Sequence, residues 1–200
     1  MGSLPLDSRS LYLLLIALVA VQRLAELAIS KRNLARALAA GGREVESGHY
    51  PVMVALHTAF LIACPVEVYL FDRPFIPALA VVCGVVLMLA TGLRYWAIGT
   101  LGPRWNTRIV VLPGAPPVTG GPFRFLRHPN YLAVILEIAF LPLLHGAWAT
   151  ALVFSAANAA LLRVRIAAEE KALADASGYD RAFAGRPRLI PSGASETSSR

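Results

Sequence analysis

The sequence predicts an all-α integral membrane protein of five transmembrane helices, amino terminus outside and carboxyl terminus inside. Three observations predict it: an apolar composition, apolar runs of membrane-crossing length, and basic residues confined to alternate connections. Of the 200 residues 56% are hydrophobic and only 16% charged, with a mean hydropathy of +0.59. A soluble domain carries about a quarter charged residues.

A crossing needs roughly 20 apolar residues to traverse about 30 Å of hydrocarbon. Residues 11–29, 51–71 and 75–98 each qualify, with Asp72-Arg73-Pro74 as a tight turn between the last two. From Tyr131 to Leu162 the only formal charge is Glu137, and these 32 residues are too few for two full spans and too many for one. They fit a hairpin: a helix over 131–144, a turn at His145-Gly146-Ala147-Trp148, and a return over 149–166 that continues as a polar helix to Ala174. Residues 1–190 therefore read as a single membrane domain, and 191–200, rich in Ser, Gly and Thr, as a disordered tail.

Charge placement supports the count. With five crossings, 15 of the 19 basic residues fall in connections on one side and only Arg9 and Arg73 on the other, leaving Arg23 and Arg94 within the membrane. By the positive-inside rule the basic side is cytoplasmic. The net charge of +7 is thereby explained by topology, which leaves no nucleic-acid partner to invoke. Only Lys31 and Lys171 are lysines, a bias that points to a GC-rich bacterial genome and a bacterial cytoplasmic membrane. The amino-terminal run partly matches a secretory signal, but Asp7 cancels Arg9 and the helical pattern continues to Ile29.

Cys64 and Cys83 lie in apolar runs and supply neither a disulfide framework nor a metal site. His49 and His57 stand two helical turns apart without a third ligand, so packing or substrate contact is expected of them rather than metal. There is no internal repeat of the kind many transporters carry.

Several residues exceed what a bundle needs. Arg23 and Glu26 share a face of the first helix; charges at that depth pair or face a polar cavity. Glu67 is expected at the outer interface. The connection from Gly99 to Asn130 is too long and too rich in Gly and Pro to be a simple link, yet it follows no strand, which excludes Rossmann and phosphate-loop readings. It ends in Arg127-His128-Pro129-Asn130-Tyr131, where Pro129 forces His128 toward an extended backbone and starts the fourth helix. Amides at that helix start would suit a carboxylate, although His-Pro-Asn also serves simply as a cap. On the fifth helix Arg165 and Glu169 are four apart and Arg163 and Glu170 seven apart, either as exposed ion pairs or as a polar face beside the start of the fourth helix. The second arrangement, at the membrane surface, could hold a small zwitterionic cofactor against a lipidic substrate.

These motifs resemble the isoprenylcysteine carboxyl methyltransferase family. The resemblance runs from about Gly92 to Pro191 and rests on Thr119-Gly120-Gly121-Pro122-Phe123, Arg127-His128-Pro129-Asn130-Tyr131, Glu169-Glu170 and Arg186-Pro187-Arg188-Leu189-Ile190-Pro191. It implies a cytoplasmic S-adenosylmethionine pocket and a tunnel that admits a lipophilic substrate from the bilayer. By that resemblance the cofactor would contact Val118 and the strip 115–118, Phe123, His128, Pro129, Asn130, Tyr131, Glu169 and Glu170. Arg165 would face the substrate's acidic group, and Arg108 would touch the cofactor. Ala115-Pro116-Pro117 departs from members that have a histidine in that strip. Arg23, Glu26 and His57 fall to the substrate side. The stretch Arg23-Leu24-Ala25-Glu26-Leu27 with Ser30-Lys31-Arg32-Asn33, His49-Tyr50 and His57 is similar to a bacterial branch, some members of which O-methylate alkylpyrones or alkylresorcinols. Arg165 and His128 are then the candidate catalytic residues. A membrane reductase of the sterol-reductase type and a non-enzymatic scaffold or transporter remain the competing classes.

Overall fold

The computed structural model describes residues 7–45 and 47–189, so the expected tail at 191–200 lies outside the described residues. Five main helices follow one another: α1 (Ser8–Ala39), α2 (Tyr50–Leu70), α3 (Pro77–Leu101), α4 (Pro129–Leu143) and α5 (Trp148–Ser177), with a short α6 (Tyr179–Ala182). Two-residue strands β1 (Arg43–Glu44) and β2 (Val110–Val111) pair antiparallel.

Helices α1, α2, α3 and α5 are long and apolar enough to cross a membrane, whereas α4 has 15 residues. At 1.5 Å per residue α4 spans about 22 Å, short of a full hydrocarbon core. The apolar runs marked the helices well but underestimated α1, which continues past residue 29 to Ala39. Its last turns stay helical because Ser30 and Asn33 are buried against the 102–107 segment: Asn33 Nδ2 donates to the Trp105 carbonyl at 2.8 Å, and Ser30 Oγ accepts from the Thr107 amide at 2.9 Å.

Two ends of the bundle are distinct. At one end Arg9 pairs with Asp72, His145 Nε2 lies 3.1 Å from Ser8 Oγ, and Gly146 packs on the Pro74 carbonyl, so the start of α1 and both short turns meet there. At the other, the β1–β2 ribbon joins the 40–49 and 102–128 connections, and Ile109 and Val111 pack with Ala168 and Ala172 of α5. The connections carrying most of the basic charge therefore gather at one end.

Charged side chains tie the helices between these ends. Glu26 on α1 accepts from Arg94 on α3 through Nε (2.9 Å) and Nη2 (2.5 Å), and from Arg23 Nη1 at 2.6 Å. Arg23 also pairs with Glu137 on α4. Two arginines and two glutamates thus neutralise one another among three helices.

Glu67 stands near the end of α2, as expected, but it is buried against protein rather than exposed. It is 5% exposed, and its carboxylate accepts from the Ala149 and Thr150 amides at 3.2 and 2.6 Å and from Arg73 Nε at 2.9 Å. Residues 147–150 offer no side chain that caps α5, so an acidic side chain from α2 satisfies its first amides and meets the positive end of its dipole. Replacing Glu67 by Ala removes this cap and strands Arg73. We expect a loss of about 2 kcal/mol, read as a fall of several degrees in the unfolding midpoint in detergent; an unchanged midpoint would show that the cap carries no weight.

Candidate functional site

The loop-bearing end holds two adjoining cavities. One, of about 450 Å³, lies between the helices and is walled by the charge network together with His57, Asn158, Tyr131 and Arg165. The other, of about 470 Å³, is built from the 103–118 connection, Leu173, Tyr179 and Phe183. Asn106, Arg108, Phe123, Arg127, His128 and Glu169 are on both walls.

Between the cavities runs a fixed polar relay. Arg165, 3% exposed, donates from Nε to the Tyr131 hydroxyl at 2.9 Å and from Nη2 to the Thr107 carbonyl, while the Tyr131 hydroxyl donates to Glu169. The expected direct Arg165–Glu169 pair is thus replaced by one bridged through Tyr131. Nor do Arg163 and Glu170 pair: Arg163 faces outward, and Glu170 turns inward to His128 Nε2 (3.0 Å) and accepts from Arg188 through Nε and Nη2 (3.1 and 2.7 Å). The reason is the carboxyl-terminal strap, which helix periodicity alone does not register. Arg127 and His128 donate their amides to the carbonyls of Pro187 and Arg188 at 2.9 and 3.0 Å, and Arg186 donates to the Phe123 carbonyl at 2.8 Å. The strap therefore fixes the loop ahead of α4, where Pro129 holds His128 outside helical geometry at φ −129°, ψ 61°.

Of the residues singled out from sequence, Val118, Phe123, His128, Asn130, Tyr131, Arg165 and Glu169 are on cavity walls, as are Arg23, Glu26 and His57. Ala115, Pro116 and Pro117 line the loop-built cavity. Pro129 and Glu170 line neither; the first is a buried helix start, and the second orients His128 from behind. Arg108 is held by Glu44 at 2.6 Å and lies over the Tyr50 ring at 4.0 Å, and the Glu44 hydrogen bond raises its pKa, so it stays cationic.

Sequence reasoning missed several wall residues. Arg94 and Glu137 were visible as lone charges in apolar runs, and Asn158 as a lone amide, but no periodicity linked them. Tyr179 and Phe183 gave no signal. The Tyr179 hydroxyl is buried without a partner, and burial pushes its pKa well above the usual range, leaving a neutral O–H. Asn106 Nδ2, Asn130 Oδ1 and Arg165 Nη1 also lack partners. Such groups cost about 1–3 kcal/mol each when left unsatisfied, and their gathering around two cavities marks a binding site.

Fold and site together define a polytopic membrane protein in which a polar chamber between helices opens against a loop-built cavity. Residues 80–175 match the isoprenylcysteine carboxyl methyltransferase (ICMT) family, a match that starts within α3 and ends before the 186–191 motif. The Bacillus subtilis protein YpbQ, described as uncharacterized, is 41% identical over 167 residues, covering 84% of this chain and 99% of that one. An uncharacterized Haemophilus influenzae protein is 29% identical over 152 residues, covering 76% and 88%. The chain belongs to the isoprenylcysteine carboxyl methyltransferase family, and membership supports a membrane methyltransferase.

Tyr131 is the hinge of the relay. Tyr131→Phe keeps the ring but removes the oxygen serving both Arg165 and Glu169, which leaves Arg165 with one partner. We expect a loss of about 2 kcal/mol, measured by thermal unfolding in detergent, because one lost bond is to a carboxylate.

Proposed function

We propose that this chain is an S-adenosylmethionine-dependent O-methyltransferase for a single-chain lipid with an acidic head group. An alkylpyrone or alkylresorcinol enol or phenol is the favoured acceptor, and a prenylcysteine carboxylate the other. The observation that carries the reading is the meeting of the two cavities at His128 and Glu169. A chamber between membrane helices suits a lipophilic acceptor, and a cavity built from the loops beyond the helices, with Arg104, Asn106 and Arg108 on a largely apolar wall, suits a soluble cofactor. We read the bundle as five crossings, with the basic loops and both cavities facing the cytoplasm; their gathering at one end supports this.

The loop-built cavity fits the cofactor's chemistry. Its volume is within the range of roughly 300–1,000 Å³ usual for small-molecule sites. Val118, Phe123, Leu173 and Phe183 offer apolar surface for a flat base, Glu169 accepts from hydroxyls or an ammonium group, and the unpaired Tyr179 hydroxyl offers a donor. When bound, S-adenosylmethionine supplies a methyl group made electrophilic by its sulfonium.

The protein's own part is to position and to exclude water. Two nitrogens of Arg165 are tied to Tyr131 and Thr107, so its guanidinium is preset and Nη1 is left for an acceptor oxyanion. A neutral hydroxyl acceptor would need a base. Glu170, engaged by Arg188, accepts the His128 Nε2–H, which leaves the lone pair on Nδ1; His128 is thus the first group able to take that proton.

Calorimetric titration of S-adenosylmethionine into the purified protein in detergent tests the reading. Wild type should bind, and Glu169→Ala should weaken binding at least roughly tenfold, the worth of one charge-assisted hydrogen bond. A folded wild type that binds none would sink the proposal and bring the reductase or scaffold class forward. Arg165→Lys should bind cofactor normally but lose roughly 100-fold or more in kcat/KM for an alkylpyrone acceptor. Methyl ester formation on farnesylcysteine analogues, with no turnover of alkylpyrones, would reverse the order of acceptors.

A further inference from the structure

The chamber between the helices is polar at two levels. Near the loops stand Arg165, Tyr131 and Asn130. Seven residues before Arg165 on α5 stands Asn158, seven after Asn130 on α4 stands Glu137, and Arg94 of α3, tied to Glu26, lines the same chamber. Seven residues bring a helix back to nearly the same face about 10 Å along its axis, so Asn158 lies directly beneath Arg165, with Leu161 and Leu162 on the wall between them.

Arg165 accounts for an acidic head group, but nothing in head-group recognition requires the deeper level. Arg94 is 6% exposed; Nε and Nη2 are held by Glu26, and Nη1 has no partner. Asn158 is 2% exposed among alanines in an apolar helix, and its Oδ1 has no partner. His57 lines the same wall; its Nδ1 lies 2.8 Å from the Met53 carbonyl, which can only accept, so Nδ1 carries the proton and Nε2 is an acceptor. An unpaired amide and an unpaired guanidinium nitrogen inside a membrane bundle are costly, and such residues characteristically mark ligand pathways.

We propose that this deeper level is a second substrate subsite, in which Arg94 and Asn158 hydrogen-bond an oxygen function on the acceptor's chain about 10 Å from its acidic head. The chemistry selects a neutral hydroxyl. Arg23, Arg94, Glu26 and Glu137 sum to zero charge, so a second anion gains nothing there. A hydroxyl both accepts from Arg94 Nη1 and donates to Asn158 Oδ1, whereas a ketone only accepts. The inference rests on reading the chamber as the acceptor's. It deepens that reading: the substrate is an acidic lipid oxygenated along its chain, so a reaction that hydroxylates the chain, or reduces a chain ketone, must precede methylation.

The test is calorimetric titration of the protein in nanodiscs, without cofactor, using stearic acid and a series of monohydroxystearic acids with the hydroxyl moved along the chain. Affinity should peak roughly tenfold above stearic acid when the hydroxyl is about 10 Å from the carboxylate. Asn158→Leu should flatten the peak while unfolding at the same or a higher temperature, since it removes an unsatisfied buried amide; Asn158→Ala repeats the test with a smaller side chain. A flat wild-type profile, or a peak that survives both substitutions, would overturn the subsite. A peak in a protein that neither binds S-adenosylmethionine nor transfers methyl groups would sink the methyltransferase reading and leave the subsite standing; methyl transfer with a flat profile would do the reverse.

Discussion

Glu26 is where the bundle's electrostatics close. A charge at bilayer depth is expensive unless a partner and hydrogen bonds compensate it, and removing one member of a buried pair typically costs about 3–5 kcal/mol. Glu26 accepts from both Arg23 and Arg94, and Arg23 passes the remaining cation to Glu137. The four charges can cancel only when α1, α3 and α4 stand in one rotational register. Apolar side chains do not impose that register, since a leucine facing lipid and a leucine facing another helix are nearly equivalent in hydrocarbon. The network therefore sets which faces of three helices look inward, and with them the chamber wall.

From that anchor the loop end follows. Ser30 and Asn33 lie four and seven residues beyond Glu26, on the same face of α1, and they hold the Trp105–Thr107 segment by its backbone. The Thr107 carbonyl in turn receives Arg165. One helix face thus connects the deep charge cluster to the guanidinium in the upper part of the chamber. The strap at 186–188 fixes the opposite side by seizing the Arg127 and His128 amides and placing Arg188 against Glu170. Arg165, Tyr131 and His128 are thus each held from behind, which is the arrangement a preorganised site needs.

How much of this was legible in the sequence depends on the range of the interaction. Apolar run lengths and the Asp72-Arg73-Pro74 and His145–Trp148 turns gave the helices, because membrane thickness and backbone satisfaction act segment by segment. The 127–131 motif and Glu169 pointed to the loop end because proline and paired polar residues act locally there. The partners were not legible. Spacing suggested Arg165–Glu169 and Arg163–Glu170, but Tyr131 and Arg188, distant in sequence, took those carboxylates. Depth put Glu67 near the outer end of its helix, but its partners there, the uncapped first amides of α5, are distant in sequence. Tyr179 and Phe183 joined the wall only because α5 ends at Gly178, whose left-handed backbone (φ 64°) turns the chain back over the cavity.

Unsatisfied groups concentrate at the site. At the end remote from the loops, Glu67 is saturated by two amides and an arginine and Arg9 has Asp72, while His145 Nδ1 is the one buried atom there, among the described residues, that lacks a partner. Around the two cavities, Arg94, Asn106, Asn130, Asn158, Arg165 and Tyr179 each keep a buried polar atom without a partner. A bundle shaped by stability alone would fill position 158 with leucine and close the chamber, gaining both packing and the cost of the stranded amide. The two levels of unpaired donors and acceptors on one face of α5 are therefore best understood through a ligand that satisfies both at once, with its acidic end at Arg165 and its chain running down past Leu161 and Leu162 to Asn158.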